Sequence, residues 1–392
     1  MSKFKQLQLH NLVDSFILKS GYKEPTEIQA NAIPLLLDGL DILGIAKTGS
    51  GKTAAFLFPL LSRLLNDFDR GDQSKLLILS PTRELAIQTH EIINSILEYS
   101  SLSSSLIIGG VSKRAQIDSL SSYGQVIVAT PGRLVDLIKD GLVNFDDLSY
   151  FVLDEADMML DMGFKDDIDF IVSKLPVKRQ TALISATMPK AIEKISSSIQ
   201  IDPKKIEIER ESTVNQNIDQ SVYFCLEENK NYLLLSLLEQ FSDMQVLIFC
   251  KAKYGVREVV DLLKRSQIEA SEIHSDLTQA QRNEAIHFYS NKEVRVLVAT
   301  DIASRGIDIG GIDLVINFNL PEDATYYVHR IGRTGRANNN GLALSLCSDK
   351  DMPFLRNIQK LIGENISVVR DQPFHHEFQI PSKKKKNRRR RR

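Results

Sequence analysis

The 392-residue sequence contains no tryptophan and only three cysteines, Cys225, Cys250 and Cys347. The cysteines stand far apart, with no CxxC pair and no adjacent histidine cluster, so neither a zinc module nor a disulfide framework is indicated. The longest apolar stretch, residues 32–46, contains two aspartates and is too short to span a bilayer, and the amino terminus has no hydrophobic signal region. We therefore expect a soluble cytoplasmic protein that is not exported.

The sequence also lacks a strong net charge, −1 at pH 7, but this balance hides an asymmetry. Residues 383–392 carry nine basic side chains and no acidic one, which leaves 40 basic against 50 acidic residues in the remainder. Blocks of like charge repel themselves and stay disordered, and basic blocks bind phosphates by releasing counterions. We interpret the tail as an auxiliary tether for a nucleic acid. An idle solvated end and an address signal are the alternatives.

The chain is longer than one core usually supports, so two domains and a tail are expected. Short runs rich in Val, Ile and Leu alternate with segments of helical periodicity, which is typical of parallel sheets covered by helices and predicts an α/β fold. The predicted strands are 42–46, 76–80, 106–108, 126–130, 150–154, 181–185, 246–250, 271–274, 295–300, 314–317 and 342–347.

Two similar pentapeptides occur, VIVAT at 126–130 and VLVAT at 296–300, each before a loop that contains arginine. The repeat suggests two copies of one sheet architecture, with chance similarity of buried strands as the alternative. Residues 207–220 are polar, charged and poor in strand pattern. We therefore predict domains at 1–208 and 218–365, a linker at 209–217 and a basic tail at 366–392.

A glycine-rich octapeptide, AKTGSGKT at 46–53, follows the first predicted strand. Gly49 and Gly51 let the loop turn its backbone N–H groups toward phosphate oxygens, Lys52 adds a positive charge, and Thr53 supplies a hydroxyl for Mg²⁺. Ala46 stands where the commonest phosphate-loop pattern has its first glycine. An ordinary glycine-rich turn is therefore the alternative for this loop taken alone.

The acidic tetrapeptide DEAD at 154–157 ends the apolar run 150–153. Asp154 is placed to hold Mg²⁺ at the phosphates, and Glu155 is placed to orient and deprotonate the attacking water. The alternative is the solvated beginning of a helix, whose dipole favours carboxylates. In combination with the octapeptide, the tetrapeptide predicts an enzyme that hydrolyses a nucleoside triphosphate with Mg²⁺.

An aromatic and amide segment precedes the octapeptide. Gln29 has the donor and acceptor pair that matches the N6/N7 edge of adenine, and an aromatic ring can stack on the base, which makes ATP the proposed ligand. Packing roles are the alternative for Phe4 and Tyr22. The candidate nucleotide-binding residues are Phe4, Tyr22, Thr26, Gln29, Lys47, Thr48, Gly49, Ser50, Gly51, Lys52 and Thr53.

The motifs form an ordered series. They are PTEIQ at 25–29, AKTGSGKT, PTRELA at 81–86, Gly109-Gly110, TPGR at 130–133, DEAD, SAT at 185–187, LIFC at 247–250, Gln279 and Arg282, ATDIASRGID at 299–308 and HRIGRTGR at 329–336. In order and spacing, the sequence closely resembles the DEAD-box ATP-dependent RNA helicases over residues 4 to about 350. Among them it is most similar to bacterial RhlE-type members. The resemblance implies two tandem RecA-like domains that bind ATP, Mg²⁺ and RNA.

The resemblance also implies roles in catalysis and coupling. Arg333 and Arg336 match arginine fingers that stabilise charge on the γ-phosphate, with a solvated helix as the alternative, and Asp308 matches a ribose contact. The implied catalytic residues are Lys52, Asp154, Glu155, Arg333 and Arg336, with Thr53 and Asp154 on the metal. The residues implied to couple the domains are Asp157, Ser185, Thr187 and His329, although Ser185 and Thr187 also fit an ordinary helix N-cap.

The RNA contacts implied by the resemblance are mostly to phosphate and ribose, which carry no sequence information. Turn and cap roles in α/β loops are the alternative for each of them, and Ser275, where the family usually has glycine, is a departure. The basic tail becomes an auxiliary RNA tether. The implied RNA-binding residues are Pro81, Thr82, Arg83, Gly109, Gly110, Thr130, Pro131, Gly132, Arg133, Arg282 and Thr300.

The sequence thus predicts an RNA-dependent ATPase that closes two lobes around ATP and one RNA strand and separates short duplexes. A role in ribosome assembly or RNA turnover, with ribosomal or RNA-degradation protein partners, is expected. One alternative is a DNA helicase or translocase built on the same lobes. The other is an ATP-gated RNA clamp, which would carry the same motifs.

Overall fold

The structure, a computed structural model, describes residues 3–46, 49–121, 124–208, 217–301, 312–335 and 340–378. The described residues up to 208 form one compact unit, and those from 217 onward form a second. Within these ranges, no helix has the length and apolar character needed to cross a bilayer.

The first unit is a parallel sheet of seven strands. Its spatial order is β3-β4-β2-β5-β6-β1-β7, and every pair of neighbours is parallel. The strands are β1 Ile42–Ile45, β2 Lys75–Leu79, β3 Ser103–Ile107, β4 Gly124–Ala129, β5 Leu148–Leu153, β6 Gln180–Ser185 and β7 Lys204–Glu207. The helices are α1 Asn11–Lys19, α2 Glu27–Leu37, α3 Lys52–Asp69, α4 Arg83–Leu97, α5 Lys113–Ser121, α6 Pro131–Lys139, α7 Ala156–Asp161, α8 Lys165–Val172 and α9 Lys190–Ile199.

Alternation along each strand explains why helices cover both faces of the first sheet. Ile42 and Ile78 belong to one hydrophobic cluster, while their neighbours Leu43 and Leu77 belong to a second cluster on the opposite face. Successive side chains of a strand point to opposite faces, so an uninterrupted apolar strand requires apolar partners on both sides. The amphipathic helices supply these partners.

The second unit is also a parallel sheet of seven strands, in the order β10-β11-β9-β12-β13-β8-β14. The strands are β8 Ile218–Phe224, β9 Val246–Cys250, β10 Ala270–Ile273, β11 Val296–Thr300, β12 Leu314–Asn317, β13 Gly341–Cys347 and β14 Ser367–Val368. Its described helices are α10 Lys230–Gln240, α11 Lys253–Arg265, α12 Gln279–Ser290, α13 Ala324–Ile331 and α14 Met352–Ile362.

The two sheets have the same topology. When the strands of each unit are counted from its own first strand, both sheets read 3-4-2-5-6-1-7. The repeated pentapeptide at 126–130 and 296–300 lies on β4 and β11, which are second from the corresponding edge in each sheet. The predicted α/β fold with two copies of one sheet is confirmed.

The structure corrects the predicted carboxyl-terminal boundary. Residues from 366 onward were assigned to a basic tail, but Ser367 and Val368 pair with β8 as strand β14. Phe374 packs against the core of the second unit, and the ring of Phe378 lies 5.9 Å from that of Phe224. Residues 366–378 therefore belong to the second unit. The basic residues 383–392 and most of the predicted linker, 209–216, lie outside the described residues.

Candidate functional site

The phosphate-loop candidate connects the carboxyl end of β1 to the first turn of α3. The N–H of Ala46 donates to the carbonyl of Ser185 on β6, and the N–H of Ala55 donates to the carbonyl of Gly51, both at 3.1 Å. Gly49 and Gly51 have φ angles of +82° and +89°, a region that side chains disfavour. The two glycines therefore allow the loop to turn between strand and helix. Lys47 and Thr48 lie outside the described residues.

Gln29 contacts the phosphate loop directly. Its Oε1 accepts from the N–H of Thr26 at 3.0 Å, and its Nε2 donates to the carbonyl of Gly51 at 3.1 Å. The side chain is 1% exposed, and a Cβ added to Gly51 would overlap Nε2. The structure thus gives Gln29 a positioning contact that the sequence did not predict. Its predicted contact with adenine stays a prediction.

The two aromatic candidates differ in accessibility. Phe4 is 1% exposed, and its ring lies edge-on to the rings of Tyr22 and Phe58, with centroids 6.2 and 6.3 Å away. A ring buried on all sides offers no face to a base, so the structure corrects Phe4 to a packing residue. Tyr22 lies only partly buried against the same cluster, and its predicted contact with a base stays open.

The DEAD tetrapeptide begins where β5 ends. The N–H of Asp154 donates to the carbonyl of Leu79 at 3.0 Å, which continues the pairing of β5 with β2. Nζ of Lys52 lies 2.8 Å from Oε1 of Glu155, and the two side chains are 5% and 11% exposed. The structure therefore brings the phosphate-loop lysine and the predicted water-activating carboxylate together, although they are a hundred residues apart in sequence.

Burial and neighbouring charges shift the pKa values of Lys52 and of Asp154. Burial alone would lower the pKa of Lys52, but the carboxylates of Glu155 and Asp154 outweigh it and raise that pKa. Burial, together with the Glu155 carboxylate, raises the pKa of Asp154 to about 7 against the opposing effect of Lys52. Perturbed titrations of this kind concentrate at functional sites because charges are held there without full solvation.

Glu155 has a strained backbone. Its φ and ψ angles are +51° and +52°, the left-handed region that residues with a Cβ rarely adopt. Such a conformation costs on the order of 1–3 kcal/mol and persists only where its surroundings impose it. Here the bend redirects the chain between the end of β5 and helix α7. The strain supports a functional role for Glu155.

Asp157 links the tetrapeptide to the SAT segment. Its Oδ2 accepts hydrogen bonds from the N–H of Thr187 at 2.9 Å and from the hydroxyl of Thr187 at 2.7 Å. The hydroxyl of Ser185 donates to the carbonyl of Thr187 at 2.7 Å. Three of the predicted coupling residues thus form one hydrogen-bonded group. The helix cap proposed as the alternative is not observed, because the residue that caps α9 is Pro189.

The polar atoms of the loop fit a triphosphate and a hard cation. The Ser50 hydroxyl is buried and has no hydrogen-bond partner within the described residues, and the ammonium of Lys52 has three N–H donors, more than its ion pair with Glu155 uses. Buried donors normally find an acceptor, and phosphate oxygens would supply one. Thr53, next in α3, and Asp154 offer the oxygen ligands that Mg²⁺ prefers.

The predicted RNA residues of the first unit converge where β2, β3 and β4 end. Thr82 caps α4 by accepting from the N–H of Leu85 at 3.3 Å, and the Arg83 guanidinium lies 3.1 Å from a Cβ added to Gly109. A Cβ on Gly110 would overlap that guanidinium. The two glycines therefore let Arg83 lie against the backbone.

The neighbouring loop completes this edge. The N–H of Thr130 donates to the carbonyl of Ile107 at 2.9 Å, and Nη1 of Arg133 donates to the carbonyl of Val111 at 3.2 Å. Four of the predicted RNA residues are buried and lie in turns or caps, and their contacts with RNA stay predictions. They are Pro81, Thr82, Thr130 and Pro131. Gly132 and Arg133 are partly exposed.

In the second unit, the described candidates lie on or next to β11, α12 and α13. Thr300 ends β11, Arg282 lies in the first turn of α12, His329 lies on α13, and Arg333 follows α13. His329 and Arg333 are partly buried. Asp308 and Arg336 lie outside the described residues.

Arg330 is a prominent residue that the sequence reasoning missed. Its guanidinium is 2% exposed and binds both carboxylate oxygens of Asp301, at 2.6 and 2.7 Å. It also donates to Oδ1 of Asn317 and to the carbonyl of Asn319, and it lies 5.0 Å from the ring centroid of Phe249. The three-residue spacing of arginines in HRIGRTGR was the available signal, but it could not show which arginine is buried. Arg330 ties α13 to the ends of β11 and β12.

Known proteins match this fold and site. A family profile described as DEAD/DEAH box helicase matches residues 26–195, and one described as helicase conserved C-terminal domain matches residues 229–338. The chain is 39% identical over 369 residues to ATP-dependent RNA helicase DbpA of Bacillus subtilis, covering 94% of this chain and 76% of that protein. The chain therefore belongs to the family of DEAD-box ATP-dependent RNA helicases.

Two further relatives define the extent of the match. The probable ATP-dependent RNA helicase ddx27 of Dictyostelium discoideum is 39% identical over 360 residues, which cover 91% of this chain and 46% of that protein. The chain thus spans about half the length of that relative. The structure of S. cerevisiae Dbp5 bound to RNA and ADP BeF3 matches with a TM-score of 0.84 and 31% identity, covering 94% of this chain and 96% of that chain. The two units are tandem RecA-like domains.

Proposed function

We propose that this protein is an RNA-dependent ATPase that separates short RNA duplexes by ATP-driven closure of its two RecA-like units. The observation that carries the proposal is the ion pair of Lys52 with Glu155, beside the buried Asp154 and the Ser50 hydroxyl, which has no partner among the residues that the structure describes. The family membership and the relatives named as RNA helicases support RNA as the polynucleotide.

In this proposal, Lys52 and the loop N–H groups bind the ATP phosphates, and the Glu155 carboxylate accepts a proton from the attacking water. Mg²⁺, held by Thr53 and Asp154, would neutralise phosphate charge when bound. The second unit contributes Arg333 and Arg336, which would stabilise charge on the γ-phosphate. The group formed by Asp157, Ser185 and Thr187, together with His329, would couple closure to hydrolysis.

RNA binding is proposed at the carboxyl edges of both sheets, through backbone N–H groups and the arginines Arg83, Arg133 and Arg282. Because phosphates carry no sequence information, recognition would be only weakly sequence-specific. ATP and RNA would each raise the affinity for the other, since both favour the closed state. The basic residues 383–392 would add an electrostatic contact with the same RNA.

The subgroup, the cellular location and the biological process are also proposals. The short lobes support an RhlE-type subgroup, and a cytoplasmic location is consistent with three buried free cysteines. A role in ribosome assembly or RNA turnover, with protein partners from those processes, is the biological setting that we propose.

The test is ATP hydrolysis by the purified chain with Mg²⁺ and no polynucleotide, with RNA, or with DNA of the same sequence and length. We expect strong stimulation by RNA and little by DNA. Equal or greater stimulation by DNA would favour a DNA helicase, and full activity without any polynucleotide would contradict the proposal. Unwinding of a short duplex under the same conditions distinguishes a helicase from an ATP-gated clamp, because a clamp would hydrolyse ATP without separating strands.

A further inference from the structure

Tyr254 is an exposed aromatic residue in the first turn of α11. Its side chain is 66% exposed, and Nζ of Lys253 lies 5.7 Å from its ring centroid. A tyrosine in this position gains little from burial, and most of its ring remains accessible to a ligand. A ring beside a lysine has the composition of a site for stacking nucleic acid bases.

The position of Tyr254 places it on the edge proposed for RNA. β9 ends at Cys250, whose register partner on β11 is Thr300. A Cβ added to Gly255 would lie 3.6 Å from Cβ of Cys250, so the first turn of α11 packs against the end of β9. Tyr254 therefore projects from the same carboxyl edge at which Thr300 ends its strand.

The lysine beside the ring and Arg257, one turn further along α11, pair with the same carboxylate. Nζ of Lys253 lies 2.9 Å from Oδ1 of Asp276, and Nη2 of Arg257 lies 2.8 Å from Oδ2 of the same carboxylate. Asp276 immediately precedes the turn that leads into α12 and Arg282. The carboxylate thus fixes the lysine beside Tyr254 and joins the start of α11 to the loop before α12.

We propose that Tyr254 stacks on a base of the single RNA strand that the second unit binds, beside the phosphate contacts of Thr300 and Arg282. This inference rests on the proposed function and adds a base contact to a surface otherwise proposed to read only phosphate and ribose. Every base has a π face, so the contact raises affinity without selecting a sequence. It defines the substrate at this point as an unpaired, unstacked nucleotide.

The test compares Tyr254→Ala and Tyr254→Phe in the full chain. Affinity is measured for a fluorescent single-stranded RNA oligomer in the presence of a non-hydrolysable ATP analogue and Mg²⁺. Stacking is worth about 5- to 160-fold in affinity per base. We expect a loss in this range for Tyr254→Ala and a change below about 3-fold for Tyr254→Phe, because phenylalanine keeps the ring.

Two controls separate stacking from other effects. On an oligomer of the same length in which all riboses are abasic, wild type and Tyr254→Ala should bind equally. Tyr99→Ala provides the matched surface change, because Tyr99 is 70% exposed and lies 5.0 Å from Nζ of Lys19 but follows the far end of α4. Its RNA affinity should equal that of wild type.

An unchanged affinity of Tyr254→Ala for normal RNA, or an equal loss on the abasic oligomer, would overturn the inference. An unchanged RNA affinity would leave a protein partner as the ring's ligand. Wild-type hydrolysis measured with saturating RNA keeps the two proposals separate. If RNA does not stimulate hydrolysis by the wild type, the proposed function fails. If saturating RNA stimulates wild type and Tyr254→Ala alike and their RNA affinities do not differ, only the stacking contact fails.

Discussion

The side-chain amide of Gln29 donates to the backbone carbonyl of Gly51, 22 residues further along the chain, at 3.1 Å. The same amide accepts from the N–H of Thr26 through its oxygen. The segment proposed to read adenine and the loop proposed to bind phosphate are therefore one hydrogen-bonded unit. Any change that moves Gln29 should also move the loop.

Gly51→Ala should disrupt this unit, because the added methyl group would overlap Nε2 of Gln29 and the backbone has a φ of +89°. We expect a loss of about 1–3 kcal/mol in the free energy of unfolding and a clear loss of ATP affinity. Thermal unfolding and fluorescent nucleotide binding measure the two effects.

Gly49→Ala is the matched control for the overlap. Gly49 has a similar φ of +82°, but an added Cβ meets no described atom within 4 Å. Gly49→Ala should therefore lose only the free energy of backbone strain, and it should displace Gln29 less than Gly51→Ala does. If both variants lose stability and ATP affinity equally, the contact between Gln29 and Gly51 has no role of its own.

Glu155→Gln should keep ATP and RNA binding but lose hydrolysis. The amide has nearly the shape of the carboxylate, yet it cannot accept a proton from water, and general base catalysis contributes about 10²- to 10⁴-fold to a rate. Single-turnover hydrolysis with saturating RNA measures the loss, and ATP affinity is measured in parallel. Hydrolysis at the wild-type rate would remove Glu155 from its proposed role.

Sequence patterns located most of the strands that are buried on both faces; they also located β10, of which only Ile273 is buried, and missed β8. β9, Val246–Cys250, is an uninterrupted apolar run because helices cover both sides of it. β7, Lys204–Glu207, was missed because only Ile206 of this edge strand is buried. β14 consists of two residues whose pairing with β8 is a tertiary contact and leaves no periodic signal.

The site residues also divide into those whose position sequence patterns predict and those whose contacts depend on tertiary packing. The placement of Lys52 and Glu155 could be predicted because each residue follows a strand that the sequence pattern located, and their roles stay predictions. The contact of Gln29 with Gly51 and that of Arg330 with Asp301 could not, because each depends on the packing of segments that are distant in sequence. The burial of Phe4 was not predictable either, since an aromatic residue near a ligand motif fits a packing role and a stacking role equally.

Arg330→Ala should destabilise the second unit strongly. It leaves the carboxylate of Asp301 and the amide oxygen of Asn317 without their buried partner, and breaking a buried charge pair costs about 3–5 kcal/mol. Arg370→Ala is the control, because Arg370 pairs with Glu377 at 3.5 Å and both side chains are about three quarters exposed. Exposed pairs contribute less than about 1 kcal/mol. Urea unfolding compares the variants, and equal losses would contradict the structural role of Arg330.

The three cysteines should react slowly in the folded protein. Burial raises the pKa of the Cys225 thiol to about 11 and those of Cys250 and Cys347 to about 12, from an ordinary value of 9.0. At pH 8 the folded chain therefore holds about 100- to 1,000-fold less thiolate at these positions than the unfolded chain, and the thiolate is the species that alkylates. Iodoacetamide labelling followed by mass spectrometry, with and without urea, measures the difference.

The same pKa values give the sign of a pH effect on stability. The folded chain holds these protons more tightly than the unfolded chain, so the stabilisation is present in full below pH 9 and is lost as the pH rises from 9 toward 12. We expect the urea midpoint to fall across this range. Rapid labelling at pH 8 without urea would show that the thiols are accessible and that this loss does not arise from them.

Removal of residues 383–392 should weaken RNA binding and flatten its dependence on salt. For single-stranded nucleic acid, the slope of log affinity against log salt falls by about 0.7 for each phosphate neutralised, so nine basic residues contribute a slope of up to about 6. A full-length variant with glutamine at the nine basic positions keeps the length and removes the charge. Both variants should show the same flatter slope between 50 and 300 mM KCl, roughly the range in which counterion release dominates. A slope unchanged from wild type in both would mean that the tail makes no phosphate contact, and a change in the deletion alone would assign the effect to chain length instead of charge.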